Sequence, residues 1–238
     1  MIRTLDAAAA WVDAVGLALL FPKADVVLPS LWEEVNGSAE QTWSIRDEDG
    51  KFVSWSEPMG FLWPAKDALP EQGLVCVGKH LARAVACVSP RLLPILVAAN
   101  HEPADDDPVV SAIREFGPLT GPQLREATGQ DKKTVDRAIA GLHHRLVLTS
   151  SHLVEQDGPW GALAHDLVSR KWSLPKDLPA RDAARRELAS LVLDRAGELT
   201  AADLAGVFTW RRKEAAAILE GVTDGRDDEA GFRIWTRR

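Results

Sequence analysis

Seven residues have the types and spacing for phosphate chemistry. Lys132, Lys133, Thr134 and Arg137 crowd one short stretch, and Arg211, Arg212 and Lys213 crowd a second. Cations and a hydroxyl near the start of an amphipathic helix can neutralise nucleic-acid phosphates and reach base edges. Asp131 and Asp136 stand among the first group and dilute its charge.

The elements that must position these groups are legible around them. In LTGPQLREATGQDKKTVDRAIAGL, residues 119–142, Thr120 is placed to cap a helix with Gln123 as its capping-box partner, and Pro122 falls in the first turn. Gly129 ends that helix where a left-handed residue is cheapest. A second helix follows, with Val135, Ala138, Ile139 and Leu142 on one stripe. Two short helices around a glycine turn, the second with a polar start, form a helix-turn-helix pattern. The pattern recurs 80 residues later: Leu199-Thr200-Ala-Ala-Asp203-Leu204 aligns with Leu119-Thr120-Gly-Pro-Gln123-Leu124. The same shift pairs Val135, Ala138, Ile139 and Leu142 with Ala215, Ile218, Leu219 and Val222, and places Lys132 and Lys133 on Arg212 and Lys213. An ungapped repeat of caps, core positions and cations implies two tandem units. The expected fold class is therefore α+β, mainly helical with short β wings, built from tandem winged-helix units.

Composition fits this reading. The 238 residues are 46% hydrophobic and 26% charged, as in a water-soluble globular chain long enough for several small cores. No apolar run approaches the roughly 20 residues of a membrane span, and Asp6 and Asp13 interrupt the N-terminal apolar stretch, unlike a signal peptide. A cytoplasmic protein without membrane contact is expected. The net charge of −7 argues against indiscriminate coating of nucleic acid, although residues 179–238 are balanced at eleven basic and eleven acidic. Cys76 and Cys87 read as buried free thiols rather than a disulfide. His143 and His144 are adjacent, so on a helix they point about 100° apart and do not share a metal. No metal or cofactor site is expected, and no phosphate-binding glycine loop, HExxH or nucleophile elbow occurs.

Along the chain, residues 1–100 form a Trp-rich α+β domain, residues 109–172 the first winged-helix unit and residues 180–238 the second, with the acidic HEPADDDP stretch at 101–108 as linker. A helix capped by Thr4 and a short one capped by Ser30 are expected, with two short strands, 42–45 and 52–55, around Asp49-Gly50. Trp43, Trp55 and Trp63 read as plugs of a small irregular core, with a base-stacking surface as the alternative. A strand is expected near Gly73–Val77 and helices over Lys79–Val88 and Ala162–Trp172. Leu146–Ser150 and Leu153–Gln156 read as the two strands of a wing, with Gly158-Pro159-Trp160-Gly161 at its tip or exit. Gly225 and Asp227–Glu229 read as a turn before a closing strand.

The segments GPLTGPQLREATG, TVDRAIAGLHHRLVL and GELTAADLAGVF resemble the winged-helix repeats of the AlkZ/YcaQ-type DNA glycosylases over roughly Val109 to Arg238. That resemblance implies excision of alkylated bases or unhooking of crosslinks on double-stranded DNA, without a metal. It also implies a catalytic Gln-x-Gln or related pair in the N-terminal region that positions water at the glycosidic bond. Here Gln41, Gln72, Gln123, Gln130 and Gln156 include no two separated by one residue, so the usual motif is absent. Asp25, in Leu20-Phe21-Pro22-Lys23-Ala24-Asp25, is the acid of that region available to position water. Double-stranded DNA is the expected partner. A transcriptional regulator or protein-interaction scaffold is the alternative.

Overall fold

The computed structural model describes residues 2–155, 161–223, 225–227 and 233–236. The chain begins as the caps require. Thr4 accepts a hydrogen bond from the Ala7 amide and starts α1 (Leu5–Val15), which Gly16 ends at φ 74°. Strand β1 (Leu17–Leu19) follows, then α2 (Leu31–Asn36), held by a reciprocal Ser30–Glu33 capping box. A hairpin, β2 (Ser44–Arg46) and β3 (Phe52–Trp55), leads to α3 (Glu57–Glu71), capped by Ser56. Strands β4 (Cys76–Leu81) and β5 (Ala84–Val88) close the unit in the antiparallel order β1-β5-β4. Helix α4 (Leu93–Asn100) carries the chain out of this first unit.

The second unit is α5 (Pro108–Phe116), β6 (Leu119–Thr120), α6 (Gly121–Thr128), α7 (Lys132–His144), β7 (Leu148–Val154) and β8 (Ala162–Leu167), in sheet order β6-β8-β7. A single turn, α8 (Val168–Lys171), follows it. The third unit is α9 (Arg181–Ala196), β9 (Glu198–Thr200), α10 (Ala201–Phe208), α11 (Arg212–Glu220), β10 (Gly225–Asp227) and β11 (Arg233–Thr236), in order β10-β11-β9. Among the described residues one topology thus occurs three times: helix, strand, helix, helix, strand, strand, with the last strand between the other two. The first unit inserts β2–β3 between its second and third helices. The fold is α+β, as the sequence indicates.

Four local expectations are corrected. Lys79–Val88 is a hairpin rather than a helix: Ala82 and Arg83 both take left-handed conformations, φ 51° and 52°, and pairing of β4 with β5 overrides the helix propensity of LARAVA. Ala162–Trp172 is strand β8 followed by one helical turn, because Ala162–Leu167 supplies the partner of β7. The two wing strands expected at 146–150 and 153–156 are one strand, β7, irregular between Ser150 and Leu153. Gly225–Asp227 pairs with β11 instead of turning. Gly158, Pro159 and Trp160 lie outside the described residues, as do Asp228 and Glu229. Helix α3 has no clear signal in the sequence because Gly60, Pro64 and Pro70 interrupt it, yet Met59, Leu62, Ala65 and Leu69 are buried at helical spacing.

The apolar interior does not follow unit borders. Trp32, Leu62 and Leu69 anchor a cluster within the first unit, and Val109, Ile113, Leu124, Val135 and Leu142 one within the second. The largest cluster joins Leu17, Leu19 and Val88 of the first unit with Leu96 on α4 and with Leu188, Val192, Phe208 and Trp235 of the third. The Ala82 amide donates to the Val207 carbonyl at 2.8 Å, and Thr149 Oγ1 donates to the Val77 carbonyl at 3.1 Å, so all units are cross-tied.

Candidate nucleic-acid interface

The cations of α7 stand on an ordered helix start. Thr120 and Gln123 form the full capping box at the start of α6, and Gly129, φ 67°, makes the turn. Asp131 caps α7, accepting from the Thr134 amide at 3.1 Å and from its hydroxyl at 2.7 Å. These bonds hold the Asp131 carboxyl below the usual carboxylate range, and they commit the Thr134 hydroxyl to the cap. Lys132 Nζ lies 2.5 Å from Asp136 Oδ2, an exposed pair one helical turn apart. Lys133 and Arg137 are exposed, while Val135 and Leu142 on the opposite face are buried.

The third unit repeats this arrangement with differences. Ala215 and Leu219 are buried where the repeat places them, and Arg211, Arg212 and Lys213 are exposed at the start of α11. Arg211 takes the N-cap position without a side-chain capping bond. The turn before it passes through Thr209 at φ 58°, the counterpart of Gly129. Arg211 lines a cleft with His144 and Arg145 at the C-terminal end of α7. Lys132 is thirteen residues from Arg145, roughly 20 Å along the helix axis. The two cationic groups therefore flank opposite ends of α7.

Asp25 lies exposed on a turn in a left-handed conformation, φ 63°, which Asp tolerates better than most residues. The fold brings Gln41 to the same segment: its Nε2 donates to the Pro22 carbonyl at 3.1 Å, and its Oε1 accepts from Trp43 Nε1 at 3.2 Å. Trp43 stacks on Phe21 with ring centres 5.0 Å apart. An amide thus anchors the loop that carries the carboxylate, a link that the fifteen residues between Asp25 and Gln41 hid. The hairpin beside it is not a core plug. Trp43, Ile45, Phe52, Val53 and Trp55 are each 40–58% exposed, because β2 and β3 pair only with each other.

A second cleft, about 390 Å³, opens between β4–β5, α7 and β7–β8, with Lys79, Asp136, His143 and His165 on its walls. Here the chain assembles histidines that their sequence positions do not connect. His80 Nδ1 donates to the His143 carbonyl at 2.8 Å, which leaves Nε2 to accept from the Cys76 thiol at 3.5 Å. His143 Nε2 and His165 Nδ1 are hydrogen-bonded to each other at 3.0 Å, and His143 Nδ1 is buried without a hydrogen-bond partner. Gly78 makes room for the rings: a Cβ there would meet His143 Nδ1 at 2.4 Å and His80 Nε2 at 2.5 Å. Burial pushes His80 and His165 down to about 4, His143 well below its ordinary value, and the Cys76 thiol up to about 12. At neutral pH the cluster is uncharged. Among the described residues no group of three His, Cys, Asp or Glu side chains is arranged to hold a metal.

No curated protein and no solved structure matches the chain. A family model does: the one described as DNA glycosylase AlkZ-like matches residues 80–232, from β4 into the last hairpin. With nearly two-thirds of its length under that match, the chain belongs to the AlkZ-like DNA glycosylase family.

Proposed function

We propose that the chain binds double-stranded DNA as a repair protein for alkylated or crosslinked DNA, with its three like-folded units acting as winged helices. The sequence units 1–100, 109–172 and 180–238 would be their approximate bounds. In this reading Lys132, Lys133 and Arg137 on α7, and Arg211, Arg212 and Lys213 on α11, contact the duplex, and Thr134 orders the start of α7. The observation that carries it is membership of a glycosylase family together with exposed cations at the start of the third helix in both later units. Replacing Lys132, Lys133, Arg211 and Arg212 by Ala should weaken duplex binding and lower the salt slope by up to about one unit per lost phosphate contact. Unchanged affinity at low salt would refute the interface.

Base release is the reaction this reading implies. The bond from the sugar C1′ to the base nitrogen breaks with its electron pair kept by the cationic alkylated base, which leaves neutral, while water oxygen bonds C1′ and a carboxylate takes the water proton. Asp25, three residues on from the Pro22 carbonyl that Gln41 holds, is our candidate for that role. Release of methylated purines from duplex DNA, reduced by Asp25→Asn without loss of binding, is the expected result. No release above background would leave a binding protein.

One feature favours a second reading, a protein-interaction scaffold: the apolar, exposed β2–β3 hairpin. Ile45→Ser with Val53→Ser should then disrupt a complex with a protein partner and leave duplex binding unaltered. No helix among the described residues is long and apolar enough to cross a membrane, and a cytoplasmic location is proposed with the DNA reading.

A further inference from the structure

A cleft of about 490 Å³ lies where the end of α7, the start of α9 and the α10–α11 turn meet. Arg145, Arg181, Arg185 and Arg211 converge on it, against two acidic residues, Glu102 and Glu214. In a chain of net charge −7 this is a local excess of positive charge. The four arginines come from the end of α7, the first turns of α9 (Arg181 and Arg185) and the start of α11, the first and the last lying 66 positions apart, so their convergence is a product of folding.

Three of the four guanidinium groups are held but not saturated. Arg145 Nη2 donates to the Pro103 carbonyl, Arg181 Nη2 to the His101 carbonyl at 2.9 Å and Arg185 Nε to the Ala99 carbonyl at 3.2 Å. Each guanidinium carries five N–H donors, so these bonds orient the fork and leave donors over. The carboxylates complete it poorly: Arg185 Nη1 is 3.6 Å from Glu214, and Arg145 Nε is 3.8 Å from Glu102. Arg145 Nε and His144 Nδ1, both lining residues, are buried with no hydrogen-bond partner. Arg185 is further fixed with its guanidinium 5.0 Å from the Trp210 ring centre, and Trp210 Nε1 donates to Asn100 Oδ1 at 2.6 Å. Such rigid, under-satisfied guanidinium groups match a tetrahedral oxyanion.

We propose that this cleft is a phosphate-binding site, with Arg145, Arg181, Arg185 and Arg211 as its donors. The phosphate is either a backbone diester of bound DNA or the phosphate of a free small molecule; the cleft chemistry is the same for both. The site does not depend on the duplex reading, since only Arg211 belongs to both.

The test uses the full chain and an Arg145→Gln/Arg181→Gln variant, with Lys51→Gln/Lys176→Gln as a control of equal charge change away from the cleft. Inorganic phosphate, added up to tens of millimolar at constant ionic strength, should raise the Tm of wild type and control but not of the cleft variant. The unliganded variant must keep the wild-type circular dichroism; if it does not, the conservative Arg145→Lys replaces it and should weaken phosphate binding at least threefold. Duplex binding then separates the sources. A loss of at least tenfold beyond the control assigns the site to backbone phosphate, and loss of inorganic phosphate binding alone assigns it to a free ligand. A wild type that inorganic phosphate neither stabilises nor binds, or a cleft variant matching the control in both assays, overturns the proposal.

Discussion

At the scale of single residues, the buried histidines make the molecule sensitive to acid. His80 and His165 titrate near 4 in the folded chain, and His143 also lies well below its ordinary value. Once unfolded, each recovers a value near 6.5. The unfolded chain therefore takes up protons first as pH falls, so stability is full above about pH 6.5 and declines down to about pH 4. Several such groups together remove on the order of a few kcal/mol. Urea midpoints at pH 7.5, 6 and 5 should fall in that order, and more shallowly for a His80→Gln variant. A midpoint independent of pH over this range would contradict the burial of the cluster. The sequence offered these residues only one at a time, and the adjacency of His143 and His144 drew attention to a pair the fold separates: His143 joins His80 and His165, while His144 faces the arginine cleft.

Elements show which local rules suffice. Capping boxes at Ser30, Thr120 and Thr200 form as written because donor and acceptor sit three residues apart. The two repeats also agree in their turns, with one exception: Gly129 and Thr209 both adopt the left-handed region, and only glycine does so without strain. Thr209→Gly should raise stability by about 1 kcal/mol, since a β-branched residue is costly there. Its hydroxyl donates to the Phe208 carbonyl at 2.7 Å, so a fall in the denaturation midpoint would mean that this bond outweighs the strain. Strands β5 and β8 read as helix for the opposite reason. Their alanine-containing sequences, AVACV and ALAHDL, favour helix locally, and only the partner strand supplies the competing hydrogen bonds.

For the whole molecule, the shared core has a mechanical consequence. Leu188 on α9 is fully buried in a cluster with Leu17, Leu19 and Val88 from the opposite end of the chain. Leu188→Ala should cost about 2–5 kcal/mol, and the loss should be felt by the first unit as well as the third. Far-UV circular dichroism and tryptophan fluorescence report both units, and their unfolding curves should shift together. A variant in which one signal keeps its wild-type midpoint would show that the units unfold separately.

The sequence by itself determined the α+β class, the repeat at a spacing of 80 residues, the helices with local caps and the family resemblance. Each rests on residues within one or two turns of each other, where capping and apolar periodicity operate. Tertiary structure decided the rest. It showed the same topology in the Trp-rich first unit, where α3 is interrupted by prolines and a hairpin is inserted. It put Trp43 and Trp55 on the surface, and it gathered the histidines and the arginines into separate clefts. Strand partners, exposure and convergent charge depend on contacts across tens of residues, and no local pattern in the chain encodes them.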